Sequence, residues 1–280
     1  NATGLYNTAI GASALLCNTY GCNNIAIGMA AMAYNTTGAD NIALGYMSLK
    51  CNTSGRGNFA AGQYSLVVNT SGCSNIAIGC FALYSNTIGN NNFAQGYKAL
   101  YCNTTGCNNI ATGGYALYSN STGSDNTAIG LCALVSNTFG NNNTAIGCRA
   151  LYCNTTGSYN TAQGYQALRN NTTGSNNIAI GCNSLYSNTT GSSNIGIGFC
   201  AGYSITTGAN NTVIGSLPAA AGCVCTLLLG AGTCERLRVD NSGIYVNGTV
   251  LSSGTIPTVL NNISTQFDGS KTVFSLLLDQ

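Results

Sequence analysis

The residues with chemistry to offer are cysteine, asparagine and tyrosine. The chain of 280 residues carries 15 Cys and 16 Tyr but neither His nor Trp. Without His, no ordinary nucleophile–base pair can be assembled. The acids number 6 and are scattered, with only Asp40 and Asp125 in the first three quarters of the chain. Paired carboxylates of the glycosidase kind are therefore not expected. Gly196-Ile197-Gly198 with Gly202 fits neither G-x-G-x-x-G nor the Walker A spacing. Cys223-Val224-Cys225 with Cys234 has no His and no second C-x-x-C, so it makes a poor metal site. The expectation is a segment with no catalytic, cofactor-binding or metal-binding residues.

Two other patterns have chemical readings. Asn35, Asn52, Asn69, Asn103, Asn154 and Asn188 each begin an N-x-S/T sequon. Dense N-glycosylation is one meaning. Asn86-Thr87-Ile88 and Asn137-Thr138-Phe139 repeat the same segment where the sequon fails. A turn that needs Asn explains both sets, and is preferred. Tyr84, Tyr101, Tyr118, Tyr152 and Tyr186 form a regularly spaced row. Aromatic rows can contact sugar faces, so these five are the candidate glycan contacts. Mutual stacking up a sheet face is the simpler expectation.

The spacing behind these rows is seventeen residues, and it organises the chain. Gly recurs at 11, 28, 45, 62 and onward to 215 without insertion or deletion. Each unit reads N-[T/I/F]-A-I-G-x-x-A-L-Y-x-N-T-T-G-x-x. Two strands per unit are expected, T/I-A-I-G and A-L-Y. Alternation puts Ala128 and Gly130 on one face and Thr127 and Ile129 on the other, with Leu117 opposite Ala116 and Tyr118. N-T-T-G supplies turn chemistry, because Asn and Gly accept positive φ. An Asn recurring in register also permits an amide ladder. Two glycines and several Asn and Thr per unit leave no room for a helix. The fold expected is all-β, a parallel β-solenoid with one rung per repeat. Stacked at about 4.8 Å, the steps from Gly11 to Gly215 make a rod of roughly 58 Å.

Composition agrees. Charged residues are only 5% of the chain and hydrophobic ones 45%. That is not the composition of a disordered segment. A net charge of +2 with no Lys/Arg cluster offers nothing to nucleic acid. The weakly polar run Leu217–Gly232 is too short to span a bilayer, so no membrane partner is expected. Cys17, Cys51, Cys102 and Cys153 share one position of the repeat. Cys22, Cys73 and Cys107 share a second, and Cys80, Cys148 and Cys182 a third. Members of one set never fall in adjacent rungs, so no vertical disulfide ladder is available. Cys17/Cys22 and Cys102/Cys107 flank single turns and are spaced to close small loops. A role as a small hydrophobe in stacked positions is preferred.

The organisation expected is a solenoid over 1–215, an apolar junction or cap over 216–232, a β-hairpin over 233–250, a linker over 251–262 and the start of a further β domain over 263–280. The last repeats degrade, as the end of a solenoid should. Gly196 and Val213 replace the strand Ala, Gly202 replaces Leu and Ile205 replaces Asn. The strand is apolar on both faces, with Ile25/Ile27, Ile42/Leu44, Ile76/Ile78 and Ile195/Ile197 opposite the Ala stripe. A thin roll has one interior, so this second stripe is expected to pack against identical chains as a homotrimer. The chain is read as a piece of a longer protein.

Asn24-Ile25-Ala26-Ile27-Gly28 and Asn177-Ile178-Ala179-Ile180-Gly181 resemble the N-T-A-I-G…N-T-T-G repeats of phage and giant-virus tail-fibre proteins. They are more distantly similar to the N-S-x-A-I-G repeats in heads of trimeric autotransporter adhesins. Glu235–Ile244 resembles the segment that follows such repeats in phage fibres, and Phe267–Leu276 resembles a motif of virion structural proteins in phages of marine cyanobacteria. The resemblance implies a trimeric fibre shaft or head on a virion, with no enzymatic activity and no cofactor. Its implied partners are copies of itself, other virion tail or baseplate proteins, and host cell-surface glycans. A bacterial trimeric autotransporter-type surface adhesin is the first alternative. A fibre carrying a polysaccharide depolymerase outside this segment is the second.

Overall fold

The computed structural model of the chain describes residues 3–231, 234–240, 242–246 and 249–250. The expected linker over 251–262 and further β domain over 263–280 lie outside the described residues. Thirteen strands of three residues each, from β1 (Thr8–Ile10) to β13 (Thr212–Ile214), recur at the repeat spacing. Each pairs in parallel with the next rung, like on like: Ala94 faces Ala111, and Ala111 faces Ala128. The chain is a parallel β-solenoid, and no helix occurs among the described residues. The central residue of each strand points inward and is Ala in nearly every rung, fully buried from Ala26 to Ala179.

The rung Asn109–Asp125 serves below to name the rows that run up the stack. Its Ala116-Leu117-Tyr118 segment corrects the expectation of a second strand, because it lies in consecutive tight turns rather than a strand. Tyr115 has φ 58° and Leu117 φ 51°, both left-handed. A left-handed residue every second position destroys the period-two alternation of a strand. Ala116 and Leu117 therefore both face inward, each 0% exposed, instead of taking opposite faces. A left-handed L-residue costs about 1–2 kcal/mol. Burying a Leu side chain returns about 1.5–3 kcal/mol. Hydrogen bonds from Leu117 N to Ala133 O at 3.0 Å and from Asn120 N to Leu117 O at 3.1 Å add to that return. No β-branched residue stands in this row from Leu15 to Leu185, which fits their intolerance of positive φ.

Two files of buried asparagine complete the interior. In one, Asn109 Nδ2 donates to Asn92 Oδ1 at 3.1 Å and to Gly123 O at 2.9 Å. Its own Oδ1 accepts from the N–H and Nδ2 of Asn126. In the other, Asn120 Nδ2 donates to Asn103 Oδ1 at 2.9 Å and to the same Gly123 O at 2.8 Å. Both files are fully buried through the middle of the stack. Burying an amide costs little only when its hydrogen bonds are made, and here every rung makes them for its neighbour. The sequon asparagines Asn35, Asn52, Asn69, Asn103, Asn154 and Asn188 belong to the second file and are 0% exposed. A glycan on a side chain so placed would destroy the rung, so the turn-and-ladder reading is the one the fold accommodates.

Outer rows are laddered too. The Thr104 hydroxyl donates to Ser121 O at 3.0 Å, and the same bond recurs along that row. At the C-terminal end β14 (Leu227–Ala231) adds to the stack in parallel, with Thr212 opposite Leu227. The stretch read as a junction thus carries a further strand. β15 (Cys234–Asp240), β16 (Gly243–Val246) and β17 (Thr249–Val250) then follow as antiparallel neighbours. The first asparagine file ends where Thr226 N donates to Asn211 Oδ1 at 3.0 Å.

Candidate functional site

The tight turns over Gly114–Tyr118 put three rows of side chains on one outer face. Tyr84, Tyr101 and Tyr118 stack directly, with centroids 5.1 and 5.3 Å apart and planes within 10°. Val135 separates them from Tyr152 in the same row. Arg169 lies between Tyr152 and Tyr186, its guanidinium carbon 5.4 and 5.7 Å from the two centroids. Tyr186 then stacks on Tyr203 at 5.0 Å. Of the five tyrosines picked out by spacing, three are in mutual contact and two are joined through a cation. Tyr101 has a ring on each face, so it offers solvent its edge and hydroxyl rather than a flat platform.

The seventeen-residue row missed the rest of the cluster. Phe81 lies 5.8 Å from Tyr84, Tyr115 lies 5.7 Å from Tyr118, and Tyr97 meets Tyr115 edge-on at 5.4 Å. Tyr64 stacks on Phe81 at 5.0 Å and touches Tyr46 at 5.2 Å. These residues belong to the Gly114 and Tyr115 rows. The left-handed turn folds the Tyr115 row back beside the Tyr118 row, which no simple period reveals. The signal available was density, since Phe81, Tyr84, Tyr97, Tyr101, Tyr115 and Tyr118 fall within three rungs. Lys98 sits among them, its Nζ 5.3 Å from Tyr97, 5.6 Å from Tyr101, 5.9 Å from Phe81 and 6.0 Å from Tyr115. Such cation–π contacts hold the ammonium on the face.

Titration follows this geometry. Burial, then the neighbouring Tyr84 and Tyr118, pushes the Tyr101 phenol above its ordinary value. A hydrogen bond with Tyr46, then burial, does the same to Tyr64. Desolvation works to lower the Lys98 ammonium, but Tyr97 and Tyr115 outweigh it and the net shift is upward. A folded-state pKa above the unfolded one contributes stability that is complete below the unfolded pKa and lost as pH rises through the folded one. All three groups therefore favour the fold below about pH 10 and cease to do so above it. Alkaline titration followed by tyrosinate absorbance should show these phenols ionising last. Replacing Tyr101 by Phe should remove part of the stability lost in that range.

A second face is apolar. The residues flanking each strand Ala point outward, and Ile25, Ile27, Ile110, Ile129, Ile146, Ile178, Ile180, Ile197 and Ile214 are 37–41% exposed. This stripe runs along much of the stack, interrupted where Thr161 and Gln163 flank the strand, and lies beside no other element among the described residues.

Every cysteine among the described residues is a free thiol, half-buried or exposed. None is fully buried, and only Cys223 packs against the core, so the small-hydrophobe reading applies mostly to partial burial in the outer rows. Those in the Ser124 row have a clearer role. Cys107 Sγ accepts from Asn90 N at 3.3 Å and donates to Thr105 O at 3.4 Å. Ser124 Oγ likewise accepts from Cys107 N and donates to Thr122 O. Cys22, Cys73 and Cys107 thus stand in for serine in a laddered row. No group of His, Cys, Asp or Glu among the described residues is arranged to hold a metal ion. A groove of about 440 Å³ lies between the end of the stack and β15, lined by Leu217, Pro218, Leu228, Glu235, Arg238 and Asp240. Its charges answer one another: Arg238 pairs with Asp240 at 2.8 Å and with Glu235 at 3.4 Å, and lies 3.7 Å over the Tyr245 ring. No helix among the described residues is long and apolar enough to cross a membrane.

Among models of known families none matches this chain, and no curated protein matches it either.

Proposed function

We propose that the chain is a mechanical element, the rigid shaft or head of a virion fibre, assembled from three copies and holding host-attachment regions away from the particle. The observation that supports this best is the exposed apolar stripe along an unbroken stack of parallel rungs. A row of half-exposed Ile side chains spanning the solenoid is unusual on a free monomer. Threefold packing covers it rung against rung and stiffens the rod. The resemblance of the repeat to tail-fibre sequences, and of Phe267–Leu276 to a motif of cyanophage virion proteins, points the same way. In this reading the fibre attaches through other tail or baseplate proteins, and the tyrosine face meets host glycans through its hydroxyls and ring edges. The segment has no catalytic role and takes no cofactor.

Sedimentation velocity tests the assembly. The wild-type chain should sediment as a trimer. Ile129→Asp with Ile146→Asp, which places two carboxylates in the stripe, should give a folded monomer with an unchanged β spectrum. A wild-type chain that is a soluble, folded monomer at all concentrations would sink the proposal. Antibody labelling of intact particles in electron micrographs tests the location, and label absent from threefold projections would count against it.

A further inference from the structure

We propose that Cys182 and Cys200 form an inter-rung disulfide that clasps the last two full turns of the solenoid. They stand in different rows, Cys182 in the Gly114 row and Cys200 in the Tyr115 row one rung further on. That diagonal is a close one. Cys200 N donates to Cys182 O at 2.9 Å. The same bond recurs from Tyr64 N to Tyr46 O at 3.0 Å and from Tyr115 N to Tyr97 O at 2.9 Å. In both of those pairs the side chains meet across the rung step, with ring centroids 5.2 and 5.4 Å apart. Side chains on this diagonal therefore lean toward each other, and only at Cys182 and Cys200 are both of them thiols. A rung step of about 4.8 Å combined with a one-residue offset of about 3.8 Å gives a diagonal of about 6 Å, inside the Cα separation of about 4.4–6.8 Å that disulfides require.

The opposite diagonal differs in its backbone pairing. Cys132 and Cys148 are also in adjacent rungs, but Cys132 N bonds Gly114 O and Arg149 N bonds Leu131 O, so no backbone bond joins the two cysteines. The equivalent pair Phe81 and Tyr97 has centroids 6.5 Å apart even with two large rings reaching across.

The clasp sits where the repeat changes. In the rung of Cys200 the core Leu is replaced by Gly202 and the strand Ala by Gly196, and Leu185 and Ile205 pack into the space these leave. Both thiols are partly accessible. Oxidation joins the two sulfurs with loss of two protons and two electrons. A small-molecule disulfide takes these up and leaves as two thiols. Burial pushes the Cys200 thiol up, the neighbouring Cys182 adds to this and the Asn183 amide opposes it, so coupling runs faster as pH rises.

The full chain treated with glutathione disulfide, alkylated and cleaved with chymotrypsin should yield a peptide pair linking Cys182 to Cys200, lighter by two hydrogens than the reduced pair. The link should vanish in Cys200→Ser and persist in Cys132→Ser. The thermal midpoint of the wild-type chain should rise on oxidation and that of Cys200→Ser should not. Serine at this outward position leaves the core intact, so the variant should keep the native circular dichroism spectrum. Recovery of both cysteines as alkylated thiols, or as separate glutathione adducts, from oxidised chain that retains that spectrum would overturn the proposal.

Discussion

Gly106→Ala should cost at least about 3 kcal/mol and split the unfolding of the stack. A Cβ at this position would drive into the carbonyl oxygen of Gly123 and stand 2.5 Å from Asn103 Oδ1 and 3.0 Å from Asn120 Nδ2. None of these groups can retreat freely. The carbonyl accepts both asparagine files, and each amide is held by the rung on either side. Overpacking alone costs about 1–3 kcal/mol, and each buried amide displaced from its partner adds about 1–3 kcal/mol. In a solenoid each rung contacts only its neighbours, so a broken rung uncouples the two halves. Urea denaturation followed by circular dichroism should show two transitions where the wild-type chain shows one. Gly114→Ala is the control: its Cβ would meet only Leu131 Cδ1 at 3.4 Å, and the change should stay within about 0.5 kcal/mol. Equal effects of the two substitutions would refute this account of the stack.

Asn109→Leu should destabilise by about 3–5 kcal/mol despite its similar volume. Asn126 N–H loses its acceptor, having bonded Asn109 Oδ1 at 3.1 Å in a fully buried site. An orphaned buried donor costs about 1–3 kcal/mol, and the amide–amide bonds above and below add about 1 kcal/mol each. Asn92 Oδ1 keeps its bond from Asn109 N, and Gly123 O keeps its bond from Asn120, so the damage is bounded. Asn109→Asp should be worse at neutral pH, since a buried carboxylate would face Asn92 Oδ1 and Gly123 O with nothing to donate. Its folded pKa would be raised above about 3.9. The sign follows: the penalty grows as pH rises through that value and is relieved as pH falls toward it. An Asp variant whose stability did not improve on acidification would contradict the assignment of those two oxygens as facing acceptors.

Much of this architecture was legible in the repeat. Gly113 and Gly123 mark the places where backbone of one rung lies against the next, and the Ala111 row announces the inward position of a strand packed close to the turn opposite, enlarged only at Val213 near the end of the stack. The asparagine ladder followed from an amide recurring in register. The Ala116-Leu117-Tyr118 segment was not legible, for a definite reason. Apolar-apolar-aromatic reads as strand by propensity, while the left-handed conformation of Leu117 is signalled by no glycine or asparagine. Leu takes it because the whole stack imposes it, a case of tertiary context overriding local preference. The tyrosine row was visible, but its companions Phe81, Tyr97, Lys98 and Tyr115 were hidden by the same turn. Likewise Asp125 and Asn108 occupy a left-handed position where short polar side chains are tolerated, and Asn108 Nδ2 bonds Asp125 Oδ1 at 3.0 Å. The acid there is turn chemistry, not half of a carboxylate pair.

The two asparagine files point one way. Asn35 Nδ2 donates back to Asn18, Asn52 to Asn35, and so on to Asn188 onto Asn171; the other file runs in the same sense from Asn24 onto Asn7 to Asn211 onto Asn194, except that at Asn194 the backbone N–H rather than the amide reaches Asn177. Each side-chain amide is a small dipole, and aligned head to tail they add as peptide units do along a helix. Within the stack the amide donors thus face the lower-numbered rung and the acceptors the higher-numbered one. A rung can join in a single orientation only, because a reversed one would set amide donor against amide donor.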